Sequence, residues 1–540
     1  MSDAIESVPT AEDRSGERVA EWARTRMGLR RGTGRGGPKA RPDHWSFLLG
    51  EICLSSFVIL LVTGVYLTFY FHPSTNQVVY DGGYAPLRGQ LVSEAFDSTM
   101  HISFDVRGGL LIRQAHHWAA LIFVAAVLTH MMRVFFTGAF RKPRELNWVL
   151  GFALLVLAMF GGLTGYDLPG DLLSGTGLSV VNGTLLSVPI VGTYLSMFLF
   201  GGEFPGHDLV PRFAVIHVLI IPALMLALAA AHVLLVRRHG HSQHPGPGRT
   251  DRNVVGLPAR VYAVKAVGYF SLVAGVVCAI ASIAQINPIW EYGPYRADQV
   301  SAGSQPDWYM GIADGMLRVM PGWELTFWGH TLALDNLIPL AAGLGFFLVM
   351  GAYPFLEAWV TDDDRDHHLL ERPRNRPVRT AFGVAWIGVY AVALLGAAND
   401  VIAVTFHLSV NAVTWTVRIA LFVVPLVLFV VTKRVALGLQ RRDRDKVLHG
   451  RETGVIKRLP HGEYVEVHQP LDARELHVLT AHQQYRPLDA GKPDGNGRTT
   501  RAGRTQQFRV LLSRGFYGKG TQIPKATAQE YDEITSRHHG

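Results

Sequence analysis

Long apolar stretches alternate with polar segments along most of the chain. A helix that crosses the roughly 30 Å hydrocarbon core of a bilayer needs about 20 predominantly apolar residues, and eight stretches meet this requirement. The sequence therefore predicts eight membrane-spanning helices. They are expected at Trp45–Phe71, Leu111–Phe136, Trp148–Tyr166, Phe213–Val236, Val261–Ile286, Leu332–Val360, Ala381–Ala398 and Val413–Val435.

The remaining segments are too short or too polar to span. Leu185–Phe200 and Trp308–Val319 are apolar but short, which predicts two surface helices at the membrane interface. The last hundred or so residues are polar; within them Asp489–Arg504 has the composition of a disordered segment, and Gly462–Pro470 is a candidate for folding against the membrane domain. We therefore expect an all-α integral membrane protein with a polar C-terminal tail.

Four segments follow from this pattern. Residues 1–41 form a basic N-terminal segment, and residues 42–240 contain the first four predicted helices. Residues 241–437 contain the other four helices, and residues 438–540 form the polar extension.

The basic residues set the expected orientation. Lys and Arg are concentrated in residues 1–41, in every second connection between helices, and after the eighth helix, whereas the other connections carry scattered carboxylates. Because Lys and Arg accumulate in cytoplasmic loops, we expect both termini to be cytoplasmic, in a multi-pass protein of the cell membrane. The partner of these basic segments is then the lipid bilayer and not nucleic acid.

The composition restricts the possible cofactors. Charged residues make up 17% of the chain, against about 25% in a typical soluble domain. The 2 cysteines, Cys53 and Cys278, both lie in apolar runs, and the chain contains no CxxC motif. This excludes covalent c-type haem and cysteine-rich iron–sulfur sites within the chain, so any redox metal must be held by histidines.

Four histidines lie inside predicted membrane helices, where ionisable residues are costly and usually functional. His116 and His130 are fourteen residues apart on the second helix, and His217 and His232 are fifteen apart on the fourth. At about 100° per residue these separations return to within roughly 40–60° of the same face, about 21–22 Å along the axis. The two helices run in the same direction, which pairs His116 with His217 at the outer level and His130 with His232 at the inner level. Two such pairs match the axial ligands of two b-type haems.

Other residues support this interpretation. Gly50 and Gly64 on the first helix, and Gly151 and Gly165 on the third, repeat the fourteen-residue spacing, which leaves room for a porphyrin on one face of each helix. Arg113 and Arg133 each lie three residues from a histidine of the second helix, within reach of haem propionates. His117 is out of register and is assigned to packing or to a propionate contact. For one isolated histidine, a hydrogen bond between helices would be the simpler explanation.

Together with the motifs Gly165–Pro169 (GYDLP) and Gln305–Tyr309 (QPDWY), these residues resemble the cytochrome b subunits of quinol:cytochrome c reductases, over roughly residues 42–435. The single chain and the polar tail are most similar to the actinobacterial branch. The resemblance implies a four-helix di-haem bundle, two haem b groups (bL outside and bH inside), and a subunit of a proton-translocating quinol:cytochrome c oxidoreductase operating a Q cycle. The actinobacterial branch further implies menaquinol as substrate.

The resemblance also implies an outer quinol-oxidation site. Asp307 stands where the family pattern usually has glutamate, and would accept a proton from quinol; Trp308 and Tyr309 belong to the same motif, and Tyr166 is similar to a site-lining tyrosine. The alternative for Asp307 is a helix N-cap. Asp314, where mitochondrial relatives have an aromatic residue, brings a second carboxylate close to this site, with a role left open.

A second, inner quinone site is implied near His130 and His232. Arg237 stands where mitochondrial relatives use a histidine, and Lys265 matches a family lysine, although the aspartate that follows it in the family is Ala266 here. An equally good alternative is that both are basic residues that reach the membrane interface.

The resemblance finally implies partners: a Rieske iron–sulfur subunit, a di-haem cytochrome c subunit, a terminal cytochrome oxidase in a supercomplex, and a second copy of the chain in a homodimer. Two alternatives are weaker. Membrane anchors of dehydrogenases or hydrogenases also bind haem b but lack QPDWY and the glycine pairs. A haem-free transporter should have broken helices around a midplane site and inverted repeats, and the sequence has neither.

Overall fold

The structure is a computed structural model of the chain. It describes residues 21, 22, 24, 26, 27, 40–301, 305–488, 501–527, 529, 530 and 533. Within these residues, eight helices are long and apolar enough to cross a membrane, as the hydropathy pattern predicts. They are α1 (Trp45–Thr68), α2 (Gly109–Phe136), α3 (Glu145–Tyr166), α4 (Leu209–His239), α5 (Ala259–Ile283), α6 (Leu334–Thr361), α7 (Pro377–Ala397) and α8 (Val410–His449).

The predicted spans differ from these helices mainly at their ends. Apolarity marks only the part of a helix that lies in lipid, so α4 begins four residues before the predicted start at Phe213. The largest difference is in α8, which continues to His449 instead of ending at Val435. Its polar extension is stabilised by packing, since Ala436, Gln440 and Leu448 are buried there. The predicted segment boundary at residue 437 therefore falls inside this helix.

Shorter helices lie between the spans. The segment predicted as one surface helix at Leu185–Phe200 is instead two helices, Leu172–Leu186 and Gly192–Phe200. Pro189 lies between them and cannot donate a backbone hydrogen bond. The other predicted segment is helical, with a 3₁₀ turn at Trp308–Met310 that continues into Gly311–Val319. It does not lie on the surface of the chain, because Tyr309, Ile312 and Val319 are buried. Further short elements are Glu94–Phe104, Ile289–Tyr292 and Asn399–Thr405, with 3₁₀ turns at Ala85–Leu87 and Pro373–Asn375.

The strands form four two-stranded antiparallel pairs among the described residues. They are Ala40–Arg41 with Leu257–Pro258, Gln77–Val79 with Leu91–Ser93, Glu324–Phe327 with His330–Ala333, and Arg451–Arg458 with Tyr464–Gln469. None extends into a larger sheet, so the fold is all-α with small strand pairs outside the spans.

The first four spans form one bundle. Helix α1 packs on α2, α3 packs on α4, and α2 also packs on α3. The largest cluster of buried side chains lies between these helices and α6, and includes Phe123, Leu155, Met225 and Tyr353. Helices α7 and α8 pack against each other beside this bundle.

The C-terminal extension folds back onto the end of α6. Residues Gly462–Pro470, singled out from the sequence, contain the second strand of the Arg451–Arg458 hairpin. A helix at Arg501–Tyr517 follows, so the predicted disorder is wrong for residues 501–504, while residues 489–500 lie outside the described residues. Arg509 donates to the Trp359 carbonyl and pairs with Asp362.

Candidate functional site

The structure brings the imidazole rings of His116 on α2 and His217 on α4 next to each other, nearly perpendicular. Their ring centres are 6.2 Å apart and the ring planes meet at 72°. Two imidazoles on opposite sides of one metal, with metal–nitrogen bonds of about 2.0–2.1 Å, place their ring centres roughly 6 Å apart. The observed spacing therefore suits two axial ligands of a single iron.

The hydrogen bonds of these histidines leave the correct nitrogen free. The Thr63 hydroxyl donates to the Ile59 carbonyl at 2.7 Å, so it must accept from the Nδ1–H of His116, which lies 2.8 Å away. His217 Nδ1 lies 2.9 Å from the Gly161 carbonyl, which can only accept. Both rings therefore carry their proton on Nδ1, which leaves the Nε2 lone pair available for a metal.

The unequal spacing of the two histidine pairs has a structural cause. Helix α4 contains a π-helical segment, Ile216–Ile220, which includes His217 and is followed by Pro222. A π turn accommodates one extra residue in an α-helix and is frequent at functional sites. With one extra residue taken up by the π turn, the fifteen residues from His217 to His232 are equivalent to the fourteen residues from His116 to His130. The two histidines of α4 therefore lie closer to the same face than a regular helix would place them.

Each of the four predicted glycines faces a histidine. A Cβ atom added to Gly165 would lie 2.4 Å from Cε1 of His217, and one added to Gly64 would lie 3.2 Å from Cε1 of His116. The glycines of the second level are less crowded: the corresponding distances are 3.5 Å from Gly50 to His130 and 3.7 Å from Gly151 to His232. The glycines thus provide room for the imidazole rings. The sequence predicted room for a porphyrin and did not indicate this contact with the histidines.

His130 and His232 form the second level. They are close enough to interact electrostatically, and each lies opposite its glycine, Gly50 on α1 and Gly151 on α3. The structure thus brings His116 and His217 together and places His130 near His232; their pairing as haem ligands stays a prediction.

Two buried guanidinium groups point to an anionic ligand. Nε and Nη2 of Arg113 and Nη2 of Arg133 are buried and have no hydrogen-bond partner in the described part of the chain. Arg133 Nε lies 3.4 Å from the Ser46 hydroxyl, and its guanidinium lies over the Phe47 ring. Unpaired buried cations are strongly unfavourable, so carboxylate groups such as haem propionates would satisfy these donors. The donor set therefore fits a haem at each level.

A cavity of about 300 Å³ opens beside the first level, within the usual size of ligand sites. Its lining includes His116, His217 and Arg113 together with Asp307 and Tyr309. Gly64, Gly165 and Tyr166 also line it. The outer pair of histidines and the predicted quinol-site residues therefore line the same cavity.

Asp307 has partners that the sequence did not reveal. Nε2 of His117 lies 3.0 Å and 3.3 Å from the two carboxylate oxygens of Asp307, and the Tyr309 hydroxyl donates to Oδ2 at 2.8 Å. His117 therefore contacts Asp307, and not only neighbouring apolar side chains. The side chain of Asp307 makes no capping hydrogen bond to the turn at Trp308–Met310. Burial and the nearby Asp307 carboxylate raise the pKa of Tyr309 well above its usual value, so it stays a donor.

Two other predicted residues of this region have different surroundings. Asp314 pairs with Arg318 at 2.8 Å, and Arg318 also pairs with Asp400. Asp314 is not among the residues that line the cavity. Trp308 contacts Tyr309 and Tyr390 edge to face and belongs to the packing around the site.

The residues predicted for the inner quinone site are not brought together. Arg237 is exposed, and Lys265 forms a half-exposed ion pair with Asp43 at 2.7 Å. Near Arg133 the structure instead places His44 and His244, whose ring centres are 4.4 Å apart. Burial, with Arg133 and other cations nearby, lowers the pKa of His244 to about 4.

Comparison with known proteins decides the family. The sequence model described as "Cytochrome b(N-terminal)/b6/petB" matches residues 121–294. The chain is 61% identical, over 97% of its length and 96% of the relative, to the "Cytochrome bc1 complex cytochrome b subunit" of Streptomyces coelicolor. It belongs to this family.

The Mycobacterium tuberculosis cytochrome b subunit is 52% identical to the chain over 83% of the chain and 82% of the relative. A solved structure titled "Hyperthermophilic respiratory Complex III" matches with a TM-score of 0.53 over 76% of the chain and 99% of that chain; at 22% identity it shows the fold alone. This cytochrome b is thus a multi-pass membrane protein of respiratory electron transport in a bacterial plasma membrane, and its family cofactor is haem b.

Proposed function

We propose that this cytochrome b oxidises menaquinol at the cavity beside His116 and His217 and reduces quinone near His130 and His232, in a Q cycle that moves protons outward. His116 and His217 would hold the outer haem bL, and His130 and His232 the inner haem bH. The observation that carries the proposal is that His116, His217 and the Asp307 carboxylate line one cavity. Haem b at both levels supplies one-electron carriers between the two sides of the membrane.

The residues that line the cavity have different roles in quinol oxidation. Quinol gives up two protons and two electrons, and the Asp307 carboxylate takes one of the protons as a general base. His117 and Tyr309 both reach this carboxylate, so they hold it in place. Tyr166 lines the same cavity and contributes to its shape. Arg113 holds an anionic group beside the site.

The inner site would lie at the level of His130 and His232. Arg133 lies three residues from His130 and offers an unpaired donor to a propionate. Lys265 and Arg237 are near the same end of the bundle, and their exposure agrees better with interface anchors than with direct quinone contacts. Moving one charge against 100 mV costs about 2.3 kcal/mol, so transfer inward requires a higher potential at the inner level.

The orientation and the partners are part of the proposal. The basic connections place both termini in the cytoplasm, with residues 42–240 as the di-haem domain and residues 241–437 as the domain that carries the quinol-site loop. The name of the bc1 relatives implies a Rieske iron–sulfur subunit and a cytochrome c subunit as partners. We further propose a homodimer that joins a cytochrome oxidase in a supercomplex, as a quinol:cytochrome c reductase of the translocase class.

The test is quinol-driven reduction of the purified complex. A short-chain naphthoquinol, added together with oxidised cytochrome c as the acceptor of the other electron, should reduce the b-type haem. A redox titration should resolve this haem into two components of different potential. Blocking the outer site by Asp307→Asn should slow this reduction, while dithionite still reduces both components. The proposal would be refuted if the wild type showed a single b-type component, or if naphthoquinol did not reduce its b-type haem.

A further inference from the structure

Asp167 is a buried carboxyl group that the proposed mechanism does not use. It follows Tyr166, the last residue of α3, and is 2% exposed. Both of its carboxyl oxygens are buried without a hydrogen-bond partner in the described residues. Leaving a buried polar group unpaired is unfavourable, and such groups in native proteins require an explanation.

The surroundings of Asp167 favour its neutral form. Tyr166 and Leu168, on either side of Asp167 in the sequence, line the cavity that Asp307 also lines. The titratable groups close enough to interact with the charge of Asp167 are Asp171, Asp307, Tyr166 and Tyr309. It lies at the C-terminal end of α3, where the helix dipole also opposes a negative charge. Burial, Asp171 and Asp307 together raise the pKa of Asp167 well above its usual value.

The neighbouring carboxylate, Asp171, has a clear structural role that Asp167 lacks. That residue caps the helix at Leu172–Leu186: one carboxylate oxygen accepts from the backbone of Leu173 at 3.1 Å and Ser174 at 3.4 Å, and the other accepts from the Ser174 hydroxyl at 2.8 Å. Asp167 satisfies no backbone group with its side chain in the part of the chain described. Of Asp167, Asp171 and Asp307, Asp167 is the one whose carboxyl oxygens make no hydrogen bond in the described residues.

We propose that Asp167 is the second carboxyl group of the outer proton-release path and relays the proton that Asp307 takes from quinol. This rests on the proposed function. One of the two quinol O–H bonds breaks as an O–H bond forms on the Asp307 carboxylate, and the proton of the other O–H goes to water on the outer side. The two electrons go one each to the iron–sulfur partner and to the haem b carriers of the proposed function. The proton already on Asp167 leaves toward the outer surface by way of Asp171. Asp167 then takes the proton from Asp307 through water, which restores both groups.

The test uses Asp167→Asn in the whole complex, with Asp167→Glu as the conservative variant and Asp81→Asn as the exposed control on the outer side. We expect Asp167→Asn to lower kcat for naphthoquinol oxidation about tenfold or more, with KM and both haem spectra unchanged. The pH profile of kcat should lose one ionisation. Asp167→Glu should recover most of the rate, and Asp81→Asn should match the wild type.

The outcomes separate this proposal from the proposed function. If the wild type is not reduced by naphthoquinol, the proposed function fails. If the wild type is reduced and Asp167→Asn has the same kcat and pH profile, the relay is wrong while the function stands. A variant that is slow because it has lost the outer haem, or one that the glutamate does not rescue, would show that Asp167 acts only in folding and would also overturn the relay.

Discussion

Replacing Gly165 by alanine should displace a haem ligand. The added Cβ would lie 2.4 Å from Cε1 of His217 and 3.0 Å from both ring nitrogens, whereas carbon atoms in favourable contact are about 3.5–4.0 Å apart. The ring must therefore move by about 1 Å. It cannot do so freely, because its Nδ1 is fixed to the Gly161 carbonyl at 2.9 Å.

The expected size of the effect follows from this overlap. Forcing extra atoms into a packed site costs about 1–3 kcal/mol, which corresponds to a loss of roughly fivefold to 150-fold in the equilibrium that holds the ring in place. Alanine is a better helix former than glycine by about 0.5–1 kcal/mol, so the helix itself should be slightly stabilised. Helix stability and ligand geometry are therefore predicted to change in opposite directions.

The assay is a reduced-minus-oxidised spectrum of the purified complex, with haem quantified per chain. Gly165→Ala should weaken or remove the outer haem and leave the inner one. Gly151→Ala is the matched control on the same helix, because its Cβ would lie 3.7 Å from His232 and meet only ordinary contact. Gly64→Ala, at 3.2 Å from His116, should have an intermediate effect. Full retention of both haems by Gly165→Ala, or a larger loss from Gly151→Ala, would refute this reasoning.

Three other substitutions test separate parts of the account. Asp307→Asn should slow quinol oxidation at least tenfold with both haems retained; unchanged turnover would remove it from catalysis. Arg113→Gln should weaken the outer haem selectively, and equal loss at both levels in the haem spectrum would contradict its role. Glu371→Gln should lower stability by about 3–5 kcal/mol in thermal unfolding, because it leaves buried arginines unpaired; the exposed control Asp364→Asn should change little, and equal effects would refute the difference.

The membrane architecture and the histidine pairing could be predicted because both depend on regular helix geometry. A span of fixed length has to cross the apolar core, and a rise of 1.5 Å per residue sets the separation of His116 from His130. The π turn that holds His217 could not be predicted in the same way, although the extra residue in α4 was its visible signal.

Contacts between distant segments could not be predicted. His117 and Asp307 are separated by 190 positions. The position of His117 beside His116 on α2 indicates that it is not on the haem face, but it does not identify Asp307 as its partner. Asp167 was visible as an acidic residue in GYDLP, but only the three-dimensional structure shows that its carboxyl group has no partner.

The inner region shows where family resemblance gives too little. Position alone suggested Arg237 and Lys265, yet Arg237 is exposed and Lys265 pairs with Asp43. The rings that lie near Arg133 are those of His44 and His244, from segments 200 positions apart. Such loop arrangements are set by tertiary contacts that periodicity does not encode.

The most direct test of the central claim is haem content in two matched variants, His217→Ala and His232→Ala. The wild type should bind two b-type haems per chain. His217→Ala should lose only the outer component and His232→Ala only the inner one, as resolved by redox titration of the difference spectrum. Loss of the same component in both variants, or retention of both haems in either, would contradict the pairing of His116 with His217 and of His130 with His232.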